Sequence, residues 1–167
     1  MKPNRAAPYL PKRDTGLQSA NDGEDPYRAT RKLPDGTTCP SCHATVHSGR
    51  WTWEKAAKGA VELVCPACRR IDDRFPAGYV TIKGEFFGAH RDEIVALIEN
   101  HEKTEKAQRP LQRIMGIQQM RDGSTEVTTT DSHLARGIAE ALHDAYKGDL
   151  KLRYSRDENL LRATWKR

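Results

Sequence analysis

The chain has 167 residues, a formal net charge of +5 and a pI near 9.1, with 37% hydrophobic residues and a mean hydropathy of −0.80. So little apolar material excludes one large core and points to small units with metal assistance. No stretch has the length or flanks of a signal peptide or a membrane span, which predicts a cytoplasmic protein whose basic balance favours polyanionic partners.

Residues 1–34 hold five of the nine prolines and a local excess of three basic residues, with almost no periodic apolar positions. Such a segment cannot bury enough surface to offset its ordering entropy, so it is expected to be a disordered tail: a basic arm along a polyanion, or a solvated leader. Residues 35–88 are expected to form the next unit. Cys39-Pro40-Ser41-Cys42 and Cys65-Pro66-Ala67-Cys68 lie 22 residues apart and contain every cysteine of the chain. Two thiolates three positions apart on a tight turn offer both sulfurs to one ion, and two such pairs complete a tetrahedral shell with Zn–S distances of roughly 2.3 Å. The spacing reads as a four-cysteine zinc ribbon. Without an export signal, thiolates on Zn2+ account for these cysteines better than disulfides do. A closed four-thiolate site has no open coordination position, so it builds a surface and performs no chemistry.

Around the pairs, Gly49–Glu54, Ala60–Val64 and Gly78–Phe87 alternate or concentrate β-forming residues and read as strands. Residues 91–108 read as a helix with a short apolar stripe at Ile94, Leu97 and Ile98 and a polar second half that protrudes or bridges, within a connecting segment of residues 89–110 ended by Pro110. Residues 111–167 carry the clearest pattern. Ile114–Met120 and Ser124–Thr130 flank Asp122-Gly123, a hairpin signal. Asp131 or Ser132 then caps a helix with apolar positions Leu134, Ile138, Ala141, Leu142 and Ala145, ending near Gly148. A second hairpin places Leu150, Leu152 and Tyr154 against Leu161, Ala163 and Trp165, turning at Arg156–Asn159. The predicted class is α+β: a zinc ribbon, a helix, and a small antiparallel β-β-α-β-β unit.

If the apolar residues of the last hairpin face the helix, Lys151, Arg153, Arg162 and Lys166 project from the opposite face, where they suit phosphate contacts. Arg113 and Arg121 lie on the preceding hairpin, near that sheet. Arg69 and Arg70, directly after the second cysteine pair, stand beside a rigid turn and are candidates for RNA contact. Trp51 and Trp53 are either a stacking platform for unpaired bases or the hydrophobic plug of the zinc unit. His43 and His47 are not needed as ligands when four cysteines are available. The chain has no glycine-rich phosphate loop, no G-x-S-x-G elbow and no H-E-x-x-H, so a non-enzymatic protein is expected.

The order of Cys65-Pro66-Ala67-Cys68-Arg69-Arg70, the strand Gly78–Gly84, an acidic amphipathic helix and Glu126–Asp131 before Leu134-Ala135 and Ile138 resembles the zinc-binding and following α/β region of the large-ribosomal-subunit export adaptor of archaea and eukaryotes. It also resembles short bacterial proteins of the same layout. The resemblance covers roughly residues 37–167 and implies binding to the large ribosomal subunit or its rRNA. The eukaryotic members carry further C-x-x-C pairs, β-barrel domains and export signals that have no counterpart here, so nuclear export is not implied. The expectation is a zinc-ribbon protein that binds RNA, with the ribosome as partner. The alternative is a zinc-stabilised adaptor that docks a protein through its zinc unit and the polar half of the helix.

Overall fold

The computed structural model describes residues 25–29, 31–155 and 159–167, and among them it contains four helices and two sheets, an α+β arrangement. Residues 156–158 of the expected Arg156–Asn159 turn and most of the expected tail lie outside the described residues. Where the tail segment is described it is anchored: Tyr27 is buried, and its hydroxyl donates to Asp73 at 2.8 Å.

The smaller sheet is a hairpin of β1 (Thr45–His47) and β2 (Arg50–Thr52), followed after a long loop by helix α1 (Pro66–Asp72). Ala60–Val64, expected as a strand, contributes only an isolated bridge between Glu62 and Thr38, with Val61 61% and Leu63 42% exposed. Its alternation is real, but no sheet lies beside it to cover the apolar face.

The larger sheet has five strands in the order β4-β5-β3-β7-β6. Strand β3 (Gly78–Lys83) runs antiparallel to β5 (Thr125–Thr129) and parallel to β7 (Leu160–Lys166); β4 (Ile114–Gln119) and β6 (Asp149–Ser155) form the edges. This corrects two expectations. Gly78–Lys83, expected within the unit of residues 35–88, is the central strand of the larger sheet, and that sheet is mixed and five-stranded, not an antiparallel β-β-α-β-β set. A period-two pattern identifies a strand without naming its partners, and both of β3's partners lie more than forty residues downstream. The strand also ends early. Gly84 has φ of +111°, and a Cβ there would fall 2.1 Å from the Arg167 carbonyl oxygen, so the chain turns and Phe86-Phe87 enter a short helix, α2 (Glu85–Ala89).

Helix α3 (Arg91–Gln108) occupies the expected range, and α4 (Ser132–Tyr146) is capped by Asp131, whose side chain accepts from the N–H groups of His133 and Leu134 at 2.8 and 3.1 Å. The core lies between α4 and the sheet. Leu134, Ala135, Ile138, Ala139 and Leu142 pack onto Val80, Ile82, Val127, Leu161, Ala163 and Trp165, with Ile94 and Ile98 of α3 and Phe87 of α2 closing it. The Trp165 indole satisfies its N–H on the Lys147 carbonyl at 2.7 Å. The expected pairs Leu150–Trp165, Leu152–Ala163 and Tyr154–Leu161 are in register, but Leu152 and Tyr154 stay 39% and 55% exposed on the edge strand.

Gly78 sits where β3 meets α4: a Cβ there would lie 2.4 Å from the Ala135 Cβ and 2.6 Å from the Thr129 hydroxyl oxygen. Gly78→Ala is expected to cost about 1–3 kcal/mol by overpacking. Gly88→Ala, which meets nothing within 4 Å, is expected to be neutral or stabilising by up to about 1 kcal/mol. Urea denaturation of both variants checks the pair, and equal midpoints would contradict the close approach.

Candidate metal centre

The two cysteine pairs reach one point by different local structures. The first is a turn: Cys39 donates its N–H to the Ala44 carbonyl, and its carbonyl accepts from His43 N–H, both at 2.8 Å, with His43 at a positive φ of 65°. The second pair is the start of α1, which corrects the expectation of a second tight turn. Cys65 is the N-cap, its sulfur accepts from Cys68 N–H at 3.4 Å, and Pro66 opens the helix, where its missing N–H costs nothing. Turn, hairpin and helix start thus take the place of a two-turn ribbon.

All four cysteines are free thiols, and their sulfurs lie within 4.8 Å of one another, with Cys42 and Cys65 Sγ 3.7 Å apart. A tetrahedral ion with metal–sulfur bonds of about 2.3 Å needs sulfurs about 3.8 Å apart, so the cluster has the dimensions of a metal site. Cys39, Cys65 and Cys68 are buried, and Cys42 is half-buried. Among the described residues, neither His43 nor His47 joins the group. His43 is exposed, and His47 lies 3.5 Å from Glu54.

The residue that the sequence reading did not foresee at this centre is Arg113. Expected near the sheet, it instead turns inward and is 8% exposed. Its Nη1 donates to Cys68 Sγ at 3.3 Å, and Nη2 donates to Cys42 Sγ at 3.0 Å and to Cys65 Sγ at 3.6 Å. Its Nε donates to the Pro110 carbonyl at 2.7 Å, and its backbone N–H to the Thr130 hydroxyl at 3.0 Å. Cys39, beyond the guanidinium, takes a backbone N–H from Cys65 at 3.3 Å. Every sulfur of the cluster therefore accepts at least one N–H. No local signal marks Arg113, because it stands 45 residues after Cys68 and the contact exists only in the tertiary structure.

The electrostatics split the thiols. Burial opposes ionisation of Cys39, yet backbone N–H groups of Cys65, Cys42 and Ser41 bring its thiol down to about 6. Burial pushes the Cys65 thiol far above its ordinary range, and the neighbouring thiolates add to this. Cys68 is raised by burial against the pull of Arg113. Arg113 is itself disfavoured by burial, but its bonds to Cys68 and Cys42 outweigh that and hold it charged.

The predicted RNA-contact residues fall in three places. Arg69 is exposed on α1. Arg70 is 2% exposed and fully engaged: it donates to Asp25 at 2.7 Å and to the Phe75 carbonyl at 3.0 Å, and its guanidinium lies 4.3 Å from the Tyr27 ring centroid. Helical geometry sends it away from its exposed neighbour, so it anchors the 25–28 segment and offers no ligand surface. Lys151, Arg153, Arg162 and Lys166 are all exposed and lie, with Lys83, on the sheet face opposite α4. Arg153 is directly across from Arg162; among the described residues Glu126 and Asp149 bring carboxylates to that face, and Asp122 in the β4–β5 turn attracts Lys83 at its margin. None of the five cations forms a salt bridge among the described residues. Trp51 packs beside the cysteine cluster, while Trp53 donates its indole N–H to the Lys106 carbonyl at 2.6 Å and lies 5.9 Å from the Arg113 guanidinium. The polar half of α3 thus bridges to the metal unit.

No family model, curated protein or solved structure matches this chain. No helix among the described residues is long and apolar enough to cross a membrane.

Two outcomes are expected. Metal uptake near neutral pH should release protons, because Cys65 and Cys68 are raised and must give theirs up, whereas Cys39 is already largely ionised. Binding should weaken as pH falls toward 6, and calorimetric heats that do not vary with the buffer's ionisation enthalpy would contradict this. Chelation should strip amide protection from the region of β1, β2 and α1 while leaving β3, β5, β7 and α4 protected, since only the former lacks an apolar core. Uniform loss across both would show one shared folding unit.

Proposed function

We propose that this protein is a non-enzymatic RNA-binding factor, stabilised by Zn2+ on Cys39, Cys42, Cys65 and Cys68, and that its RNA is ribosomal. The observation that carries the reading is a face of the larger sheet that no described helix covers, with Lys83, Lys151, Arg153, Arg162 and Lys166 outnumbering the carboxylates Glu126, Asp149 and Asp122 among the described residues. Like charges directly opposite on paired strands cost roughly 0.2–1 kcal/mol, and among the described residues the Arg153–Arg162 pair has no salt bridge to offset that cost. A polyanion relieves it, each phosphate contact adding a salt-dependent increment to affinity. Arg162 also lies 4.5 Å from the centroid of Tyr79, its neighbour on β3, giving the face an aromatic as well as cationic character. Zinc is favoured for the metal because four thiolates in a closed tetrahedral shell suit it and leave no site for chemistry. The ribosomal assignment rests on the resemblance of motif order.

A second reading, a protein-docking adaptor, draws on the exposed Leu63 beside Arg69 in the zinc unit. One experiment separates the two. Arg153→Glu with Arg162→Glu is expected to abolish ribosome co-sedimentation and to lower the slope of log affinity for an RNA oligonucleotide against log salt by about 2. The same variant should melt no lower than wild type. Unchanged RNA affinity in the double variant would remove the sheet face from consideration and leave the docking reading.

A further inference from the structure

We propose that Arg113 is an outer-sphere member of the metal centre, positioning three of its sulfurs and fastening the metal unit to the edge of the five-stranded sheet. This rests on the metal reading of the cysteine cluster but not on any role in RNA binding.

The argument begins with charge. Four thiolates around a divalent ion leave a net charge of about −2, and such a complex is costly to bury without compensation. Arg113 supplies one positive charge from a position almost fully removed from solvent, so its attraction to the sulfurs is little screened. Geometry adds direction. The planar guanidinium presents separate N–H groups to Cys68 on one nitrogen and to Cys42 and Cys65 on the other, and so holds one sulfur from the turn and two from the helix start at fixed separation. Cys39, out of its reach, is served by the Cys65 backbone instead.

Arg113 is also held from behind. Pro110 accepts from Nε, and the Thr130 hydroxyl, which itself donates to the Leu111 carbonyl at 2.6 Å, accepts from the backbone N–H. These anchors belong to the segment entering β4 and to the residue after β5, so the guanidinium is a rigid peg from the sheet into the sulfur cluster. Trp53 covers it on one side and is tied to the end of α3 through Lys106. Nothing else described buries so many polar contacts between the two units.

Hydrogen bonds to a metal-bound sulfur withdraw density from it, slow its protonation or alkylation, and raise the energy of sulfur-to-metal charge transfer. Loss of an outer-sphere partner typically costs about 10–100-fold in metal affinity. The test uses the full chain loaded with Zn2+ or Co2+, in wild type, Arg113→Gln, Arg113→Lys and the control Arg109→Gln, whose arginine is exposed and pairs with Glu105. Arg113→Gln is expected to transfer zinc to a chromophoric chelator about 10–100-fold faster and to move the cobalt charge-transfer band to lower energy. Arg113→Lys, which keeps the charge but loses the fork, should fall between, and Arg109→Gln should match wild type. A merely structural role for Arg113 would leave the cobalt band in place. If Arg113→Gln does not fold, Arg113→Lys decides: wild-type release and band position in that variant overturn the proposal. Amide exchange adds an independent arm, since loss of the peg should reduce protection at β4 but not at β3 or β7; unaltered β4 protection would overturn the fastening role.

Discussion

The region from residue 35 to the end of α1 has sulfur where another domain would have hydrocarbon. Its buried cluster consists of Cys39, Cys65, Ala67 and Cys68, with only Cys42, Trp51, Val64 and Leu111 packed around it. A turn, a three-residue hairpin and a seven-residue helix cannot hold each other by apolar burial on that scale. Convergence of the four thiols is therefore the constraint on which this half depends, and it is only tolerable if their ionised form is neutralised. A divalent ion would offset two of the four charges; Arg113 offsets a third through its bonds to Cys42, Cys65 and Cys68, and Cys39 is eased by the Cys65 backbone N–H.

The second half is built the opposite way. A continuous core of aliphatic and aromatic side chains between α4 and the sheet needs no metal, and among the described residues no helix lies on the far face of the sheet. Alternation then decides where charge goes. Each residue buried under α4 forces its neighbours on β6 and β7 outward, and there the sequence places arginine and lysine. The two halves meet at Arg113, Trp53 and the end of α3, so the polar stretch of that helix has a structural role as a bridge. Arg70, close in sequence to the cysteine cluster, holds the 25–28 segment and does not face the surface.

Much of the site was legible because its signals are local. The C-P-x-C spacing fixes which sulfurs share an ion, Asp131 marks the start of α4, Asp122-Gly123 marks the β4–β5 turn, and period-two alternation puts Arg153 and Arg162 on the face away from Leu161 and Trp165. Other features carry no local signal. Gly78–Lys83 looks the same whether it closes a ribbon or centres a sheet. Ala60–Val64 has a strand's alternation without a partner to complete it. Arg69 and Arg70 are adjacent in sequence and opposite in fate, since a helix turns one outward and the next inward.

What the sequence by itself determined is therefore the chemistry at each short spacing: four thiols in two pairs, an amphipathic helix with its cap, and strands with one apolar and one cationic face. What only the tertiary structure decided is which of these meet. The parallel pairing of β3 with β7, the seating of Trp53 on α3 and the reach of Arg113 into the sulfur cluster all join residues more than forty positions apart. The physical reason is range. Propensity, capping and alternation act within a turn or two of chain, whereas pairing and buried charge compensation are settled by the free energy of the whole packed molecule.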